Sequence, residues 1–68
     1  MSVAEITIWK AARLILQRHG PYAEFTATRR ATDAMQNGDA AGLSTWTRVL
    51  TAIRELQRLE RRDGDPLH

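Results

Sequence analysis

A chain of 68 residues with no cysteine and a formal charge of +2 makes a single small domain. The missing thiols exclude disulfide staples, thiolate zinc sites and cysteine nucleophiles together, and no apolar run approaches the ~20 residues that span a bilayer. Nine of the ten cations are arginine, yet the eight acids are spread along the chain, a balance that permits nucleic acid without pointing to it. No basic-then-apolar secretory run opens the sequence, so a cytoplasmic location is expected, with no membrane contact.

The first helix is expected over residues 3–19. Ser2-Val3-Ala4-Glu5 matches a capping box, in which the serine hydroxyl and the glutamate carboxylate satisfy each other's backbone N–H groups. Ile8, Trp9, Ala12, Ile15, Leu16 and His19 then trace one stripe, with Lys10, Arg13 and Gln17 opposite and Leu14 off to one side. Gly20 ends the helix because glycine reaches the left-handed conformation at low cost, and Pro21 suits the first position of the next helix.

The second helix is expected over 21–37. Its apolar face is Ala23, Ala27, Ala31, Ala34 and Met35, which lets two axes approach closely and leaves the bulk to Trp9 and Trp46. Tyr22, Phe25 and Arg29 fall on the far side. They either fold back onto the core, the favoured reading, or form an exposed patch that a partner binds. Asn37-Gly38-Asp39 reads as a stop and restart, Gly38 closing one helix and Asp39 capping the next.

The third helix, over 39–62, is the longest pattern in the chain and the one against which the others should pack. Leu43, Trp46, Val49, Leu50, Ile53 and Leu56 share one side, with Thr47, Thr51, Arg54, Arg58 and Arg62 on the other. At ~1.5 Å per residue it reaches ~35 Å against ~24 Å for the first two, so its last two turns, with Leu56 and Leu59, are expected to overhang. Such an end suits antiparallel self-pairing, with Glu55 and Glu60 facing Arg58 or Arg62 of a second copy. Residues 63–68 are turn chemistry and are expected to form a flexible tail beyond a domain of 1–62.

Trp9-x-x-Ala12, Leu14-Ile15, His19-Gly20, Ala23, Ala27, Arg30-Ala31, Gly38-Asp39, Gly42, Trp46, Arg48-Val49-Leu50, Ala52-Ile53 and Glu55-Leu56-Gln57 together form a pattern across residues 5 to 58. It resembles a family of short bacterial helical proteins known only as a domain of unknown function. The resemblance implies a small helical fold and carries no activity. Pro21-Tyr22 stands where that pattern has acidic residues, and Ala34-Met35 where it has larger aliphatics, so a thinner core is expected here.

No chemistry emerges from the polar residues. The two histidines lie at opposite ends of the chain, too few and too far apart for a metal site, and no nucleotide loop or Ser-His-Asp spacing is present. His19, with Asp33 or Asp39, has the residue types for proton transfer, but a helix C-terminus favours a capping imidazole at the edge of the core. Arg30, bordering the alanine stripe, either pairs with Asp39 or Glu55 or reaches water with its stem on the core. Arg54, Arg58, Arg61 and Arg62 form a stripe that offers phosphate contacts, interrupted by Glu55 and Glu60.

The sequence therefore predicts an all-α protein, a compact three-helix bundle with a longer C-terminal helix, no cofactor, no metal and no enzymatic activity. The expected function is a non-enzymatic protein–protein interaction module, a homodimer or a small adaptor, with Leu56, Leu59, Arg58, Arg62, Tyr22, Phe25 and Arg29 as partner-binding candidates. The alternative is a small nucleic-acid-binding regulator that uses Arg54, Arg58, Arg61 and Arg62.

Overall fold

The computed structural model describes residues 3–64, with side chains from residue 5 to residue 60. Helix α1 spans Val3–His19, α2 spans Ala23–Gln36 and α3 spans Ala40–Gly64, and no strand occurs among the described residues. The chain is all-α. Ser2 of the expected capping box and residues 65–68 of the expected tail lie outside the described residues, while α3 continues past the expected end at 62 to Gly64.

The expected compact three-helix bundle is not what forms. A single 3-10 turn, Gly20–Tyr22, joins α1 to α2 without an intervening loop, so residues 3–36 make one bent helix and α3 is a second, separate one. Gly20 takes the left-handed conformation at φ 54°, and Pro21 sits in the first positions of the turn. Both limbs of the bent helix pack mainly on α3 and touch each other little. The radius of gyration is 13.1 Å, against about 11 Å for a compact domain of this length.

Side-chain pairs fix the directions. Glu24 meets Arg54 and Arg30 meets Trp46, so α2 runs antiparallel to α3. Glu5, Ile8 and Trp9 lie beside Thr47, Arg48, Thr51 and Ala52, whereas Leu16, Gly20 and Pro21 lie beside Leu56, Gln57, Leu59 and Glu60. Helix α1 therefore travels along α3 in the same general direction. Its far end and the bend lie beside residues 56–60 of α3, and Leu56, expected in an overhang, packs against the core instead.

The α2–α3 reversal takes three residues. Gly38 is left-handed at φ 71°, its N–H donates to the Met35 carbonyl at 3.1 Å, and the Asp39 N–H donates to the Ala34 carbonyl at 2.8 Å. These are the two bonds of a Schellman motif, which satisfy carbonyls that the end of α2 leaves open. Asp39 then starts α3: its carboxylate Oδ1 accepts the Gly42 N–H at 2.9 Å and its carbonyl accepts the Leu43 N–H at 2.9 Å. Gly42 leaves room for that carboxylate, since a Cβ there would stand 2.2 Å from Asp39 Oδ2.

The core is narrow. Ala12, Ala23, Ala27, Ala34, Val49, Ala52 and Ile53 are buried, and Ile53 and Val49 are the largest side chains fully out of solvent. Alanines on α2 let its axis approach α3, and Ala52 does the same for α1. Trp9, Trp46, Leu16, Leu50 and Leu56 pack around this center only partly covered. Met35, expected on the alanine face, is 59% exposed, because it stands one residue, about 100° of rotation, beyond buried Ala34.

Two stability results are expected in urea unfolding. Ile53→Ala should cost ~3–4 kcal/mol, and Trp46→Ala, a larger truncation at a wetter site, only about 2 kcal/mol; the reverse order would place the load on the tryptophan. Gly42→Ala should give no net stabilisation in the parent, because helix propensity gained is offset by displacement of the Asp39 cap. In an Asp39→Ala background the same change should stabilise by about 1 kcal/mol. Equal effects in both backgrounds would show that the cap and the glycine are uncoupled.

Candidate functional site

Each sequence candidate now has a place. Tyr22 and Phe25 do not fold back: they are 68% and 65% exposed, with Arg29 one turn further along α2. The face of α2 that packs inward is Ala23, Ala27 and Ala34, and aromatics one or two residues away in sequence are rotated out of that contact. His19 is also exposed and makes no hydrogen bond among the described residues, so it is neither a carbonyl cap nor part of the core edge.

Two cations of the α3 stripe are paired within the chain. Arg54 Nε donates to Glu24 Oε1 at 3.0 Å across the α2–α3 interface, and Arg58 pairs with Glu55 one turn back on its own helix. The side chains of Arg61 and Arg62 lie outside those described. Arg30 has neither of its expected carboxylate partners, since Asp39 caps α3 and Glu55 holds Arg58. Its guanidinium instead lies 5.9 Å from the center of the Trp46 ring, within cation–π range.

Leu56 and Leu59 belong to a groove between α1 and the C-terminal half of α3. Two adjoining depressions share Arg13 and Leu56: Ile6, Trp9 and Lys10 complete the first, about 360 Å³ in volume, and Leu16, Leu59 and Glu60 help line the second. Apolar side chains from both helices form the floor. Lys10 and Arg13 stand over its first part with no ion pair among the described residues, while Glu60 stands at the other end.

Sequence reasoning missed Ile6, Lys10 and Arg13 as members of this groove. Ile6 lies two residues before the α1 stripe begins, and Lys10 and Arg13 read as an ordinary polar face. The signal was the α1 stripe itself: Trp9 and Leu16 lie on its edge, so the residues beside them border whatever packs there.

No polar or charged side chain is buried among the described residues, and no three His, Cys, Asp or Glu side chains converge there as metal ligands. No described helix is long and apolar enough to cross a membrane. Comparison with protein-family models, with curated proteins and with solved structures finds no match.

The internal pairing of Arg54 and Arg58 gives an expectation for duplex DNA. A labelled duplex should show no binding near physiological ionic strength, and Arg54→Gln/Arg58→Gln should leave that result unchanged. Tight duplex binding at that salt, lost in the double variant, would restore the α3 stripe as a nucleic-acid surface.

Proposed function

We propose that this protein is a non-enzymatic protein–protein interaction module that works from the α1–α3 groove and self-associates through it. The observation that carries the reading is the lining: Ile6, Trp9, Leu16, Leu56 and Leu59 come together from two helices, and Ile6 and Leu59 remain 41% and 53% exposed. A domain with so narrow a core gains most from covering apolar surface of this kind.

A second copy is a suitable occupant because the groove is asymmetric in charge. Lys10 lines the first depression, Glu60 the second and Arg13 both, so an antiparallel twofold arrangement brings Glu60 of one groove toward Lys10 of its mate. The sequence-based idea of Glu55 bridging to the second copy is dropped, since that carboxylate already holds Arg58 within the chain. A standard interface covers about 800 Å² per chain, roughly 15% of the 5200 Å² surface, so a stable dimer has to extend beyond the groove itself. The bacterial helical family suggested by the sequence pattern is compatible with such a role and adds no activity to it.

Sedimentation equilibrium tests the reading. The parent should dimerise at micromolar to high micromolar concentration, and Leu56→Ser/Leu59→Ser should be monomeric. Leu59→Ser alone, at a more exposed position, should weaken the dimer while leaving the melting curve near the parent's. A parent that stays monomeric at high micromolar concentration would overturn self-association.

A further inference from the structure

The outer face of α2 carries a feature that the groove does not use. Tyr22 and Phe25 are the two most exposed large apolar side chains among those described, and they stand one helical turn apart at the start of the helix. Phe25 lines a shallow depression of about 400 Å³ with His19, Thr26, Arg29, Arg30 and Asp33. Neither Arg29 nor Arg30 has a carboxylate partner within ion-pair distance, although Asp33 is close by; Arg30 is held over Trp46 instead.

We propose that this face binds single-stranded nucleic acid, with Tyr22 and Phe25 as stacking platforms for bases and Arg29 and Arg30 as phosphate contacts. Water-exposed rings are costly without a partner, and unstacked bases offer flat apolar faces that match them. Two guanidiniums that line the depression with Phe25 and have no carboxylate partner among the described residues supply charge complementary to a phosphodiester backbone, one of them within cation–π range of Trp46. A duplex keeps its bases stacked on each other, so it cannot use the rings. The face differs from Arg54 and Arg58 of α3 in that, among the described residues, its cations have no carboxylate partner. Asp33 is the one acid of the depression, and it limits the charge rather than cancelling it. The inference does not depend on the groove or on dimerisation.

Fluorescence anisotropy with labelled 12-mers of oligo-dT and oligo-U, a duplex of equal length, and polyglutamate as competitor tests it. Both single strands should bind at low salt and weaken steeply as salt rises, with the duplex at least tenfold weaker. Phe25→Leu, which keeps an apolar side chain but removes the π face, and Tyr22→Ala should each reduce affinity on the order of tenfold with the salt slope unchanged. Arg29→Gln should lower the slope itself. All three positions are exposed, and far-UV circular dichroism should match the parent. No single-strand binding by the parent at low salt, equal binding of duplex and single strand, ring variants that bind like the parent, or displacement by polyglutamate as effective as by unlabelled oligonucleotide would each overturn the proposal.

Discussion

The close approach of α2 to α3 is the constraint on which the rest depends. It exists because α2 offers methyl groups, Ala23, Ala27 and Ala34, where a typical helix offers leucines. An alanine face costs little entropy to order and brings backbones near each other, but each methyl removes little apolar area from water. Val49 and Ile53 supply most of the fully buried bulk. The larger side chains, both tryptophans among them, are left at the margin, mostly covered by their own chain but not sealed from solvent.

That arrangement explains why local structure was legible in the sequence and the assembly of the helices was not. Helix ends were written in residues whose effect is local: Gly20 and Gly38 take the left-handed conformation, and Asp39 caps, as their chemistry dictates. The inward stripe of α3 was equally plain, because Val49 and Ile53 repeat at the helical period. Whether α1 and α2 would close on each other depended instead on the three residues between them. Gly20–Tyr22 read as a break followed by a new helix, whereas the 3-10 turn bends the helix sharply there, with α1 and α2 taking opposite senses along α3 and each packing more on α3 than on the other. Tyr22, Phe25 and Met35 were misjudged because their positions around the helix turn them off the inward face of Ala23, Ala27 and Ala34.

The polar residues show the complementary limit. A carboxylate and a guanidinium that are 30 positions apart, Glu24 and Arg54, meet only because α2 lies antiparallel to α3. Composition counts such an arginine as available charge, while the fold assigns it a partner. The reverse holds for Arg29, whose freedom is equally invisible until the neighbours of α2 are known. In this protein the distribution of unpaired charge follows from helix direction, and helix direction follows from a three-residue turn.

The brevity of that turn also orders the assembly of the chain in time. A link of Asn37, Gly38 and Asp39 closes at small entropic cost, and its hydrogen bonds join residues no more than five apart. Contacts between α2 and α3 accordingly begin near the turn and propagate outward, like the teeth of a zip. Helix α1 meets α3 across a much longer span of sequence, and its docking waits on a surface that the hairpin has to build first. By contact order the α2–α3 hairpin is expected to form first and α1 to dock second, with the bend as the boundary between them.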